Sequence, residues 1–130
     1  MLRIMATASL LVSLTIIALP QGRNSRWLDG RWEGTGFQID TGETWTMKLT
    51  RRGGKFLIEY PTLNCEGEWK LISVNSRTAR FREKITSGRG DCVDKGNVII
   101  ERLNGRQIAF RYSYQGKGEI SASAILNRQK

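Results

Sequence analysis

The sequence predicts an all-β domain, an eight-stranded antiparallel up-and-down barrel, on three observations. From Arg31 onward, apolar and polar residues alternate with period two rather than 3.6. Short turn signals cut that alternation into eight segments. No segment after residue 30 carries the apolar stripe of an amphipathic helix.

The N-terminus stands apart from this pattern. Ile4 to Leu19 form an almost unbroken apolar run, preceded by Arg3 and ended by Pro20, Gln21 and Gly22. A basic start, a short apolar core and a helix-breaking end describe a secretory signal helix. The run is shorter than the roughly 20 residues that span a bilayer. Ala18-Leu19-Pro20 matches a small-x-small cleavage site poorly, so an uncleaved N-terminal anchor is the alternative. A buried core helix is the simpler third reading, and the all-round apolar character speaks against it. The chain thus divides into residues 1–22, a signal peptide or anchor, and residues 23–130, one β domain. The expected location is secreted or bacterial periplasmic, with membrane contact only through an uncleaved N-terminal segment.

Strands are expected at 31–37, 44–51, 54–60, 67–74, 77–85, 96–103, 106–114 and 118–127. Trp45, Met47 and Leu49 alternate with Thr44, Thr46 and Lys48. Phe56, Ile58 and Tyr60 share one parity, as do Trp69 and Leu71. Ala79, Phe81 and Ile85 alternate with Arg80, Arg82 and Lys84. Ile108, Phe110, Tyr112 and Tyr114, then Ile120, Ala122, Ala124 and Leu126, complete the apolar set. Gly53-Gly54, Asn75-Ser76, Asn104-Gly105 and Gly116-Lys117-Gly118 supply the turns. Eight antiparallel neighbours, each with one apolar face, bury that face by closing into a barrel. A two-sheet sandwich is the alternative.

In a meander, alternate connections lie at the same end. Loops 38–43, 61–66, 86–95 and 115–117 therefore form a mouth, and the tight turns form a base. Cys65 and Cys92, the only two cysteines, both fall in mouth loops. Two cysteines in an exported chain pair with each other, and this topology lets them. The chain-entropy model assigns a loop of that length about 3.6 kcal/mol.

The chain has no histidine, which removes the commonest general base and metal ligand. No catalytic motif, metal motif or cofactor fingerprint stands out, so a non-enzymatic domain without a cofactor is expected.

Gly30-Arg31-Trp32 opens the first strand, and Arg128 ends the last. A Gly-x-Trp with a basic residue from the last strand over the indole resembles the calycin signature of lipocalins, avidins and bacterial metalloprotease inhibitors. The resemblance implies that Trp32 and Arg128 meet at the base of a barrel. The stretches Tyr60 to Trp69, Phe81 to Ile85 and Gly90 to Gly96 are also similar to a small bacterial domain of secreted proteins. That group implies an extracytoplasmic β domain and no functional residue.

Three regions could carry function. Glu66, Glu68, Asp91 and Asp94 fall at or beside the mouth. Rim carboxylates can hold Ca²⁺ or act as a glycosidase acid and base; solvated ion pairs are the simpler reading. Arg80, Arg82 and Lys84 alternate on one strand with no acid breaking that face, and Lys70 and Arg111 share their outward parity. With a net charge of +9, this face suits an anionic partner, or merely keeps the barrel soluble and its edges unpaired. Nucleic acid is disfavoured by the export signal and by aromatics on the inward parity, away from the cations. The third region is the interior. Large inward residues on short strands predict a packed core, whereas a cavity would suit a small apolar or aromatic molecule. Tyr60, Tyr112 and Tyr114 lie toward the mouth, within reach of water or a ligand.

The resulting expectation is an exported binding domain that contacts a protein or an anionic cell-envelope component through its mouth loops or basic face. A small-ligand carrier and a glycan hydrolase are the rivals.

Overall fold

The computed structural model describes residues 24–90 and 92–130; the segment predicted from the sequence as a signal peptide or anchor, and Asp91, lie outside them. Eight strands form one closed antiparallel barrel in sequential order, which excludes the sandwich. They are β1 (Gly30–Gln38), β2 (Thr44–Arg52), β3 (Lys55–Tyr60), β4 (Cys65–Val74), β5 (Thr78–Ser87), β6 (Asn97–Arg102), β7 (Gln107–Ser113) and β8 (Ala122–Arg128). Closure is visible at Trp32, which faces Leu49 of β2 on one side and Arg128 of β8 on the other.

Most strand ends differ from the sequence reading by one or two residues, and two of the starts have a local cause. β4 begins at Cys65, because Tyr60 and Cys65 already pair across the short 3₁₀ turn Pro61–Leu63. β8 begins at Ala122 rather than at 118, because the Gly116–Gly118 segment is too long and too glycine-rich for a tight hairpin.

Alternation does the sorting. In β3 every second residue (Phe56, Ile58, Tyr60) is buried, and in β5 Ala79, Phe81, Glu83 and Ile85 are buried. The lower half of the barrel is filled by Trp32, Leu49, Ile58, Trp69, Phe81, Ile100 and Leu126, each buried almost completely. A 3₁₀ turn, Arg26–Leu28, closes the base and drives Leu28 into the core. Arg51 donates to the Ser25 carbonyl (2.6 Å) and the Trp27 indole to the Asn75 carbonyl (2.9 Å), fixing that plug.

The base also holds Trp32 beneath Arg128. The guanidinium lies 4.2 Å from the ring centroid. Arg128 donates to the carbonyls of Asp29, Trp27 and Gly105, tying the plug and the β6–β7 turn to the last strand. The Trp32 indole donates to the Leu28 carbonyl at 3.1 Å. Gly30 has φ +100°, a conformation that disfavours any side chain, and a Cβ there would crowd Arg128.

Candidate functional site

The upper half of the barrel is not filled. Its β1–β8 wall carries small residues: Gly36 faces Ala124, and Ala122 lies opposite Gln38. Phe110 and Tyr112 of β7 stand beside Ala124 and Ala122, Tyr60 and Glu83 come from β3 and β5, and a cavity of about 280 Å³ opens between them at the mouth. Gly36 also pairs with Trp45. A Cβ at Gly36 would fall 2.5 Å from the indole, so the ring lies flat along the wall and lines the cavity. Its Nε1 is buried without a hydrogen-bond partner among the described residues. The packed core expected from the large inward residues holds for the base half only, because the small β1 and β8 residues offset the aromatics.

The cavity floor holds a charge that the alternation conceals. Glu83 occupies an inward position between Phe81 and Ile85 and is only 3 % exposed. Its Oε2 accepts hydrogen bonds from the Tyr60 hydroxyl and from the Trp69 indole, the latter at 2.8 Å. Its Oε1 takes neither. Burial raises the Glu83 carboxyl above its ordinary pKa; the two donated bonds pull it down, and the Asp94 charge adds to burial. Burial likewise raises Tyr60, and the Glu83 charge adds to that effect.

An aromatic column runs from this floor to the rim. Trp69 stacks on Phe110 (centroids 5.6 Å apart), Phe110 on Tyr112 (6.4 Å), and Tyr112 meets Tyr114 edge-on (5.6 Å). Gln38 donates to the Tyr114 hydroxyl at 3.2 Å, tying the column to β1. Gly96 seats Tyr112, since a Cβ there would collide with its ring. Burial pushes the Tyr112 hydroxyl pKa up strongly. Asp40 and Glu43, in the β1–β2 loop, complete the rim.

The disulfide braces the same end. Cys65 and Cys92 are bonded, with Cα atoms 6.3 Å apart, and Cys92 borders the cavity.

Of the proposed mouth residues, Tyr60, Tyr112 and Tyr114 converge on the cavity. Glu66 and Glu68 do not: their parity on β4 is opposite to that of Trp69, and Glu68 bonds Lys70 on the outer wall at 3.0 Å. Asp94 accepts the backbone N–H of Ile85 at 2.8 Å, which holds its carboxyl below the ordinary range. Among the described residues, no cluster of three or more carboxylate or thiol groups could hold a metal.

The five basic-face residues occupy adjacent outer positions. Lys70 pairs in register with Arg82, and Lys84 with Glu68. Arg80 and Arg111 flank Ile99 from either side. Lys70 and Arg111 are neutralised by Glu68 and Glu101, whereas Arg80, Arg82 and Lys84 form no ion pair among the described residues.

No protein-family model and no curated protein matches the chain. Solved structures do match in fold. One is a redesigned β-barrel at 17 % identity and TM-score 0.62, covering 83 % of this chain and 96 % of that one. Another redesigned barrel, mFAP1 bound to DFHBI, matches at 17 % identity and TM-score 0.61, over 82 % of this chain and 99 % of that one. A third, EF1p2_mFAP2b bound to DFHBI, matches at 19 % identity and TM-score 0.58, over 85 % and 100 %. The likeness is one of architecture, an eight-stranded antiparallel barrel.

Proposed function

We propose that this domain is an exported, non-enzymatic, calycin-like binding module that takes a small ligand into its mouth cavity. The observation that carries the reading is the division of the interior: a packed, plugged base beneath an open, aromatic-lined space of about 280 Å³. That volume is near the lower end of the range for small-molecule sites, and apolar walls with a few polar groups are their usual lining. The Trp32–Arg128 contact supports the calycin-like reading. The Cys65–Cys92 bond supports an oxidising compartment. Two of the fold neighbours are bound to DFHBI, which is compatible with small-molecule capture by such barrels.

Titration of a fragment library into the ¹⁵N-labelled, oxidised protein tests this. The expected result is shifts centred on Trp45, Tyr60, Tyr112 and Tyr114, abolished by Ala122→Leu, which fills the cavity. Shifts confined to the outer wall would overturn it.

A second reading rests on Arg80, Arg82 and Lys84, whose charges are uncompensated among the described residues. They suit an anionic envelope component or an acidic protein surface. Salt-dependent retention on a polyanion column, lost on reversal of all three charges to Glu, is its expected signature. The glycan-hydrolase reading loses support, since Glu66 and Glu68 face away from the cavity.

A further inference from the structure

We infer that the cavity selects an organic cation, a protonated amine on a flat apolar body, with Oε1 of Glu83 as its anchor. The inference deepens the small-ligand reading and rests on it. The first observation is a charge census. The chain has 21 Lys and Arg against 12 Asp and Glu. Yet among the described residues that border the cavity, the charged ones are Asp40, Glu43 and Glu83, and none is Lys or Arg. Many cations sit instead at the base, as Arg51 and Arg128 do, or on the outer wall of β4–β7, and those of the mouth loops, Arg89, Lys95 and Lys117, do not border the cavity. A negative recess in a positive molecule attracts a cation locally while the outer face repels it.

The second observation is the geometry of Glu83 itself. Glu83 is almost fully buried, and both of its side-chain donors, Tyr60 and Trp69, converge on Oε2. Oε1 has no partner among the described residues, and Glu83 borders the cavity. Oε1 is therefore open to the cavity and not sealed in the wall, and an ammonium N–H that reaches it would make a charge-assisted bond. Above it, the rings of Trp45, Tyr112 and Tyr114 border the cavity and offer aromatic surface that attracts a cation and packs a flat hydrocarbon. An anionic ligand would meet three carboxylates and find no cation.

The test uses the full chain with its disulfide intact and three matched probes: 2-phenylethylamine, 2-phenylethanol and 3-phenylpropanoate. Calorimetry at neutral pH is expected to show the amine binding at least tenfold more tightly than the alcohol, with the carboxylate weakest. Glu83→Gln is expected to erase the preference of the amine over the alcohol. Asp40→Asn with Glu43→Gln, on the exposed rim where folding is not at stake, is expected to weaken the amine about two- to fivefold. Equal or tighter binding of the alcohol or carboxylate, blocked by Ala122→Leu, overturns cation selection and leaves the small-ligand reading standing. If none of the three probes binds and the fragment library also leaves the cavity residues unmoved, both readings fall together.

Discussion

Arg128 and Trp32 face each other across the β1–β8 seam, with the guanidinium 4.2 Å from the indole centroid. This contact reinforces the β1–β8 seam, which closes the barrel, and also holds the plug. One stacked cation contributes on the order of 1 kcal/mol, and hydrogen bonds from a charged donor add roughly 1.5–3 kcal/mol each, without full additivity. Arg128→Ala is therefore expected to destabilise the fold by roughly 2–4 kcal/mol. Arg128→Lys should recover less than half, since an ammonium cannot reach three carbonyls while stacking. Urea unfolding followed by tryptophan fluorescence measures both.

The Cys65–Cys92 bond is expected to stabilise the oxidised protein by about 3–4 kcal/mol. Cys65→Ser with Cys92→Ser should lower the urea midpoint accordingly, and reduction of the native protein should lower it by a similar amount. Amide exchange should rise first in the loops at the mouth, while the plugged base keeps its protection.

Glu83 gives the stability a pH dependence of known sign. Burial holds its carboxyl above the ordinary value of 4.5, with Tyr60 and Trp69 opposing and Asp94 adding to burial; Tyr60 and Tyr112 are the other titratable groups it interacts with. Between pH 4.5 and that raised value, the folded state therefore keeps a proton that the unfolded chain has lost. The contribution of Glu83 is fully present below pH 4.5 and is lost as pH rises through the folded value. Glu83→Gln keeps an acceptor for both donors but cannot ionise. Wild type is thus expected to lose stability relative to Glu83→Gln as pH rises from 4 to 8, and urea midpoints across that range check it. A constant difference would remove the argument.

Gly96 carries two duties. Its carbonyl accepts the Glu83 N–H at 2.9 Å, and its missing side chain admits the Tyr112 ring. Gly96→Ala is expected to displace Tyr112 and cost about 1–3 kcal/mol, as overpacking does. Cavity ligands should be lost with it. Gly105→Ala, in an open turn, is the matched control for the added methyl group.

Most of the fold was legible because period-two alternation and turn chemistry agree along the whole chain. All eight strands, their order and the convergence of Cys65 and Cys92 follow from those two signals. The signature pair was legible too, since Gly30-x-Trp32 and Arg128 fall at the same pole in any eight-stranded meander. The floor of the site was not. Glu83 sits on the same parity as Phe81 and Ile85, and that inward charge is the one signal that marks it. Its meaning depends on which strands supply donors, and β4 shifts register against β5 at Glu66/Gly67 and again at Leu71/Ser73. The partnership with Tyr60 and Trp69 needs that register, which alternation does not encode. The cavity was hidden for a related reason. It results from Gly36 and Ala124 facing each other across two strands distant in the chain. The base plug at Leu28 lies in a polar segment whose single buried leucine gives no periodic signal.

Both ends of the described barrel leave from one pole. Ser25 accepts from Arg51 beside the plug, and Gln129 donates to Arg31 on the first strand. Whatever holds this domain by either terminus, a tether or a neighbouring module, grips it from behind. The aperture then points away from the attachment, unshadowed. A fusion at either end, or immobilisation through it, should therefore leave ligand capture intact.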